Sequence, residues 1–446
     1  MMAETIAAPA TPPGMGGVGI IRISGSGVPA IAAAVLGDCP PPRQAVLRHF
    51  RDGSGEALDH GIALYFPAPA SFTGEDVLEL QGHGGPVVMD RILERVRSLG
   101  ARLARPGEFS ERAFVNGRMD LTRAEAIADL IGSQSVEAAR SAMRSLEGAF
   151  ADRLHGVAEA AMALRVQVEA LLDFPDEEIT AELAACGSAL TSLHEQLRAV
   201  RREAGSGRVL AEGLNTVILG SPNAGKSSLM NALTRRETAI VTEIPGTTRD
   251  ILRETITLNG IPLHLMDTAG LHDTDDSVER AGIARAEEAA TRADLILEVV
   301  DDSADGGSDN PQLEQIRAAH GPQPWLRLYN KIDRSGRLPG RVAGEVAVAV
   351  SARSGAGLDE LARVVAEQVG CTPDAGSFLA RQRHVEALDE ALEAVARAEG
   401  QWRGANGLEL VADDLSRAHR AIGTITGEVT SEDLLGAIFS SFCIGK

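Results

Sequence analysis

The stretch 216–233, Thr-Val-Ile-Leu-Gly-Ser-Pro-Asn-Ala-Gly-Lys-Ser-Ser-Leu-Met-Asn-Ala-Leu, constrains this chain more than any other. Thr216 to Leu219 reads as a short buried strand and Ser227 to Leu233 as the first turns of a helix. Between them Gly220-x-x-x-x-Gly225-Lys226-Ser227 matches a phosphate-binding loop in full. Backbone N–H groups of such a loop point inward at phosphate oxygens, and the helix N-terminus adds a favourable dipole. Lys226 would reach the β- and γ-phosphates, and the Ser227 hydroxyl would ligate Mg2+.

Composition sharpens this reading. The chain has 43 lysines plus arginines, and Lys226, Lys331 and Lys446 are its lysines. Arginine is a planar fork and lysine a compact, strongly hydrated point charge. A lysine surviving among so many arginines marks a place where the fork does not fit. At 446 residues the chain has room for two or three domains. A net charge of −20 argues against gripping nucleic acid through the overall field, although a local basic patch would still allow it as substrate. Cys39, Cys186, Cys371 and Cys443 stand far apart with no metal-ligand spacing, as expected in a reducing cytoplasm. No signal peptide or membrane span is expected.

Residues 1–117 mix strand and helix signals. Val18 to Ile23, Ile62 to Phe66 and Val77 to Leu80 read as strands. Pro86 to Leu99 reads as an amphipathic helix with Val87, Val88, Ile92, Leu93, Val96 and Leu99 on one side. Gly14, Gly16 and Gly19 satisfy G-x-G-x-x-G but precede a strand and open no helix, so the dinucleotide reading is rejected. Gly82-His83-Gly84-Gly85 reads either as a tight turn or as backbone approaching a ligand. Residues 121–172 and about 177–204 are helical in pattern, and Ala204-Gly-Ser-Gly207 reads as a linker. Residues 213–370 alternate strand and helix, the signature of a parallel sheet. Beyond Pro373 helices are expected at about 378–400, 408–422 and 431–442, the last opening at Ser431. The expected architecture is multidomain α/β. An N-terminal α+β domain (1–118) precedes a helical domain (119–212 and 373–446), into which a P-loop nucleotide domain (213–372) is inserted.

Three short motifs follow the loop in order. Asp267-Thr268-Ala269-Gly270 comes after the apolar strand Ile261 to Met266; the Asp can hold Mg2+ through water and the Gly270 N–H can contact the γ-phosphate. Asn330-Lys331-Ile332-Asp333 follows the strand Leu326 to Tyr329. Asp333 would accept two hydrogen bonds from guanine N1 and N2, a donor pair adenine lacks. Lys331 would lie along the base. Ser351-Ala352-Arg353 follows Val346 to Val350 and would close over the guanine. Together they specify GTP. Gly246-Thr247-Thr248-Arg249-Asp250 stands where a switch loop belongs, with Thr248 completing Mg2+ coordination. Leu271 follows Asp-Thr-Ala-Gly where Ras-type enzymes carry a water-orienting glutamine, so another residue must do that work. In the carboxylate-rich segment Asp273 to Arg280 the candidate is Glu279.

The motifs Ser-Pro-Asn-Ala-Gly-Lys-Ser-Ser, Thr-Glu-Ile-Pro-Gly-Thr-Thr-Arg-Asp, Asp-Thr-Ala-Gly-Leu and a final Phe-Cys-Ile-Gly-Lys resemble those of the MnmE (TrmE) tRNA-modification GTPases. So do residues 11–25, 73–85 and 105–114, and the resemblance covers the whole chain. It implies a homodimer through the N-terminal domain, with a reduced-folate site there for a 5-formyl- or methylene-tetrahydrofolate. Arg22, Glu79, Arg118 and Lys446 would hold that cofactor. It implies a nucleotide shell of Asn223, Ala224, Gly225, Lys226, Ser227 and Ser228, of Thr242, Glu243, Ile244, Pro245, Gly246, Thr247 and Thr248, and of the three motifs above. Within it Asn223, Thr242, Ile244 and Thr247 would ligate K+, Ser227 and Thr248 would ligate Mg2+, and Glu279 would orient water. K+ would supply the charge that an arginine finger supplies elsewhere. The family acts with an MnmG-type flavoprotein, in a hetero-oligomer, to build aminomethyl-type groups on C5 of wobble uridine in tRNA. Two departures stand out: Arg118 where the family usually has lysine, and Pro245 where alanine is common, which would stiffen the loop.

The C-terminal segment offers its own candidates. Cys443 is a possible nucleophile or a small buried residue, and a prenylation reading fails because Gly445 is not aliphatic. Lys446 offers an ammonium and a carboxylate to a folate. Two rival functions remain at this point: a ribosome-assembly GTPase, which would need a basic module that 373–446 is not, and a folate-dependent one-carbon transferase with a regulatory nucleotide domain.

Overall fold

The computed structural model describes residues 4–133, 135–173, 180–236, 254–266, 288–304, 313, 316–317, 324–371, 378–403, 407–442 and 445. The chain falls into two compact units, 1–128 with 420–446, and 129–419.

The first unit is α+β. Its chain runs β1 (Ile6–Pro9), β2 (Gly16–Ser24), α1 (Val28–Leu36), β3 (Val46–Arg51), β4 (Ala57–Phe66), β5 (Val77–Gly84), α2 (Pro86–Ser98), β6 (Arg102–Leu103) and α3 (Glu108–Val115). The sheet order is β3-β4-β5-β2-β1-β6, antiparallel except for the β1–β6 pair. Ile21, Ile23, Leu78, Leu80 and Phe50 from the strands meet Ile31, Val35, Ile92 and Val96 from α1 and α2 in one core. In α2 the buried stripe is Met89, Ile92 and Val96, at helical spacing. Val87, expected on that side, is 72% exposed.

The glycine cluster at 82–85 is not the tight turn that its composition suggested. Gly82 and Gly84 continue β5, pairing with Gly19 and Gly16 of β2. A Cβ on Gly84 would sit 2.7 Å from the Gly16 carbonyl oxygen. These glycines let two strands close on one another.

The second unit holds α5 (Val136–Glu147), α6 (Ala149–Asp173) and α7 (Thr180–Glu212), after α4 (Leu121–Gly132), which runs into it. Gly148 in the left-handed region, with Ser135 capping α5 through the Ala138 N–H, punctuates what the sequence presented as one Ala-rich helical stretch. Residues 204–207, read as a linker, lie inside α7. Gly207 is there for contact: a Cβ would stand 2.3 Å from the Phe378 carbonyl oxygen. Tertiary packing has overridden local propensity.

A seven-stranded sheet follows. Its members are β7 (Leu214–Gly220), β8 (Glu254–Leu258), β9 (Ile261–Leu265), β10 (Leu295–Asp301), β11 (Trp325–Asn330), β12 (Gly340–Arg341) and β13 (Ala347–Ala349). They stand in the order β12-β13-β11-β10-β7-β9-β8. From β13 to β9 the strands are parallel, and an antiparallel strand closes each edge. Among the described residues the associated helices are α8 (Lys226–Arg236), the turn α9 (Ile332–Ser335) and α10 (Leu358–Gln368). The central strands are buried on both faces, Leu295, Leu297 and Val299 packing in one core and Ile296 in another, with the buried Glu298 on the Ile296 face bonded to Arg327. α11 (Gln382–Arg403) and α12 (Leu408–Thr426) return the chain to the helical bundle.

α13 (Glu432–Ser440) belongs to the first unit. Ser431 caps it by accepting the Leu434 N–H. Ile438, Phe439 and Phe442 pack with Leu121 and Ala124. Gly107, at φ +67°, admits the helix: a Cβ there would lie 2.4 Å from the Phe439 carbonyl oxygen.

Candidate functional site

The parallel sheet leaves the ends of β7, β10, β11 and β13 on one edge, and the loops beyond them gather the candidate residues of the second unit. Gly220 ends β7 at φ +153°, and a Cβ there would be 2.2 Å from the Val299 carbonyl oxygen. Asn223 takes φ +65°, a left-handed value rare outside glycine, and Gly225 takes φ +95°. A Cβ on Gly225 would stand 2.4 Å from Asn330 Nδ2. The loop is thus a tight cradle that two glycines and one strained asparagine make possible. Lys226 opens α8, and its Nζ donates to the Gly220 and Ser221 carbonyl oxygens at 2.7 and 3.0 Å. Ser227 and Ser228 are exposed in the first turn of α8, and neither hydroxyl has a partner among the described residues.

The 330–333 and 351–353 segments lock onto this loop. Asn330 is 1% exposed. Its Nδ2 donates to the Ala224 carbonyl oxygen at 2.9 Å, and its Oδ1 accepts the Ala352 N–H at 3.1 Å. One amide therefore joins the phosphate loop to the Ser351-Ala352-Arg353 turn. Lys331 takes φ +66°, and its Nζ donates to the Asn223 carbonyl oxygen at 2.6 Å and to Asp301 Oδ2 at 2.5 Å. A carbonyl on one side and a carboxylate on the other suit a slender ammonium, which accounts for lysine at this position. The buried Ser351 hydroxyl donates to Asp333 Oδ1 at 2.7 Å. That bond, helped by the field of Arg353 and Arg334, holds the Asp333 carboxyl below its ordinary value, so Asp333 presents acceptors at neutral pH.

Asp301 was not among the sequence candidates. It ends β10, and although burial pushes its carboxyl up, bonds from Lys331 and Ser303 hold it below the ordinary carboxylate value. Its neighbour Asp302 binds Ser335 and Arg337, fixing α9. The available signal was a pair of aspartates directly after an apolar strand.

The first unit brings together a second set. Arg22 on β2 and Glu79 on β5 are direct cross-strand partners, with Arg22 Nε 3.0 Å from Glu79 Oε1. The guanidinium lies 5.5 Å from the Phe72 ring centroid and 5.8 Å from that of Phe109. Arg22 Nη1 also donates to the Gly445 carbonyl oxygen at 3.4 Å, so the segment after α13 reaches this pair. A Cβ on Gly445 would meet the Pro9 carbonyl oxygen at 2.1 Å. Arg118 is exposed beside Gly74, its guanidinium without a partner among the described residues. Thr242, Glu243, Ile244, Pro245, Gly246, Thr247, Thr248, Asp267, Thr268, Ala269, Gly270, Glu279, Cys443 and Lys446 lie outside the described residues.

Residues 105–114, quoted above for the resemblance, form a brace behind the Arg22 pair. Glu108 is 2% exposed. It accepts from Arg102 at 2.6 and 2.8 Å, from the Arg105 N–H at 2.8 Å and from Arg112 at 3.0 Å. Burial alone would raise the Glu108 carboxyl, but these donors outweigh it and hold it at about 2. Arg112 goes on to Glu75, and Glu75 to Ser24 on β2.

Among the described residues no group of three or more His, Cys, Asp or Glu could hold a metal ion. A cation ligated by hydroxyls and nucleotide phosphates does not need one, and the free Ser227 hydroxyl beside the cradle fits such a role. No helix is long and apolar enough to cross a membrane among the described residues.

Residues 121–443 match the MnmE helical domain family, and residues 5–118 match the GTP-binding protein TrmE N-terminus. The tRNA modification GTPase MnmE of Alkalilimnicola ehrlichii is 53% identical over 450 aligned residues, covering 100% of both chains. Those of Methylococcus capsulatus and Chromohalobacter salexigens are each 51% identical, covering 99% of this chain and 99% and 98% of their own lengths.

Proposed function

We propose, from the premise that this chain belongs to the MnmE family of tRNA modification GTPases, that it hydrolyses GTP to drive modification of C5 of the wobble uridine of certain tRNAs. The observation that carries the nucleotide half is the Asn330 amide, which ties the phosphate cradle to the turn that would cover guanine. In this reading the loop N–H groups and Lys226 bind the phosphates, Asp333 accepts from guanine N1 and N2, and Ser351 and Lys331 keep the base end in place. Glu279 would orient the attacking water, with 246–250 as the switch loop. Ser227 and Thr248 would hold Mg2+, and Asn223, Thr242, Ile244 and Thr247 would hold K+. The two cations supply positive charge where the leaving phosphate develops its negative charge.

The division into an N-terminal domain (1–118), a helical domain in two parts (119–212 and 373–446) and an inserted nucleotide domain (213–372) belongs to the same proposal. So do a homodimer, an MnmG-type flavoprotein partner, a cytoplasmic setting, and a tetrahydrofolate site at Arg22, Glu79, Arg118 and Lys446. The charged pair Arg22–Glu79 over two aromatic rings suits a heteroaromatic ligand with both donors and acceptors. Cys443 belongs to the same proposal as a candidate nucleophile, and the observation that supports it is the bond from Arg22 to the Gly445 carbonyl oxygen, two residues further along the chain. The folate would supply a one-carbon unit, which these residues bind and orient.

Mass spectrometry of wobble uridines from cells lacking this protein tests the tRNA half. Loss of aminomethyl-type groups at C5 is expected, and an unchanged nucleoside profile would refute it. GTP turnover in K+ against Na+ tests the cation site. We expect at least about tenfold faster turnover in K+, and equal rates would remove the K+ assignment.

A further inference from the structure

The two sites above leave one charged cavity unassigned. It lies within the second unit, against α7, with α11 and the C-terminal end of α10 as its other walls, and measures about 550 Å3. Four arginines line it: Arg198, Arg201, Arg202 and Arg208. All lie on α7 at helical spacing, so they share one face over roughly 15 Å of helix. The floor is apolar, with Val209 and Leu392 among the lining residues.

These arginines are not equivalent. Arg201 is committed to Asp389 of α11 through bonds of 2.6 and 3.0 Å, and it folds back over Gly205, where a Cβ would stand 3.1 Å from its Nη1. Arg208 stands 3.9 Å from Asp294. Arg198 and Arg202 are exposed and have no hydrogen-bonded or charged partner among the described residues. Asp389, the one carboxylate lining the cavity, is already held by Arg201. What remains is two free guanidiniums, one turn apart, beside a pre-organised third. The whole chain carries −20 and repels polyanions at long range, so a positive stripe this concentrated sits against the protein's own field.

We propose that this stripe is a docking site for the phosphodiester backbone of the RNA substrate, an assignment that rests on the tRNA reading above. The spacing favours an extended chain of phosphates over one compact anion. About 6 Å of helix separates Arg198 from Arg202, and about 9 Å separates Arg202 from Arg208. Guanidinium forks match phosphate oxygens in pairs. Such contacts position an RNA without reading its sequence.

The test compares wild type, R198A/R202A and R198K/R202K in the full-length protein, using an unmodified tRNA transcript and a series of salt concentrations. For the alanine pair we expect about tenfold weaker binding, a salt slope shallower by about one to two, and unchanged GTP turnover without RNA. The lysine pair keeps most of the affinity, because a backbone contact needs charge first. Wild-type affinity and slope in the alanine pair overturn the proposal. So does a loss shared equally by the lysine pair with the slope unchanged, which would make the arginines structural. If inorganic tripolyphosphate raises the melting temperature of wild type but not of the alanine pair, while both bind the transcript equally, the cavity takes a small polyphosphate and the RNA assignment falls. Failure of wild type itself to bind the transcript strikes the tRNA reading instead.

Discussion

Each unit of this protein carries a buried polar hub next to its candidate site, and these two hubs differ in charge. In the first unit the hub is Glu108, a carboxylate gripped by Arg102 and Arg112. In the second it is Asn330, a neutral amide that donates to Ala224 and accepts from Ala352. A charged hub holds its partners firmly, but removing half of it strands the rest, and its strength changes with pH. A neutral hub is indifferent to pH and leaves the nearby charges, Lys331, Asp301 and Asp333, at the rim. The scaffold behind Arg22 is therefore electrostatic, whereas the nucleotide end keeps its charges for a ligand.

Glu108→Gln should give the largest effect, a loss of about 3 kcal/mol in the first unit, because two arginines lose their shared partner. Both tryptophans, Trp325 and Trp402, lie in the second unit, so their fluorescence transition should hold while calorimetry shows an earlier first transition. A single unshifted calorimetric profile would mean that Glu108 does not brace that unit. The same hub predicts a pH window. The folded carboxyl lies at about 2, below its ordinary 4.5, so its stabilisation is complete above 4.5 and is lost as pH falls towards 2. The glutamine variant should lose less stability over that range than wild type. Parallel acid titrations of the two would contradict the assignment.

Asn330→Ala should cost about 2 kcal/mol, since the buried Ala224 carbonyl and Ala352 N–H lose their partner, and this loss should not vary between pH 5 and 8. Denaturant titration of the tryptophan signal measures it, and a marked pH dependence would show that the hub is not the neutral amide. Asp333→Asn should reduce the preference for GTP over ATP by at least about tenfold, because an amide cannot accept both guanine bonds. Competition binding with the two nucleotides decides, and an unaltered ratio would remove Asp333 from the base site. The smallest change is expected for Ser351→Ala, about threefold in GTP affinity, since it removes one bond that orients Asp333. No change would make that bond incidental.

The two hubs were unequally legible in the sequence. The phosphate loop and the 330–333 motif are contiguous, and a strand before and a helix after gave them their context. The paired aspartates at 301 and 302 were a weak signal, because the role of Asp301 shows only when its lysine is seen 30 residues on. The 105–114 motif was visible as a string, but not as a brace, since Glu108 finds Arg102, Arg112 and, through Arg112, Glu75 only in three dimensions. Gly205 and Gly207 read as linker because local propensity cannot register the Arg201 guanidinium and the Phe378 carbonyl that each must admit. The contact between Arg22 and Gly445 joins residues 423 apart in the chain and has no local trace.

The first unit takes its last helix from 432–440, after the 291 residues of 129–419. At ribosomal speeds of 5–20 residues per second, about 15–60 s separates synthesis of Leu121 from that of Phe439. Throughout that interval Leu121, Ala124 and Phe114 have no α13 to cover them, and Arg22 has no Gly445 carbonyl to bond. The second unit, whose nucleotide cradle is complete well before translation ends, has time to fold first. The first unit is begun first and finished last. A nascent chain arrested before Ser431 should carry a folded second unit and, in the first unit, a chaperone-accessible apolar face at Leu121 and Ala124.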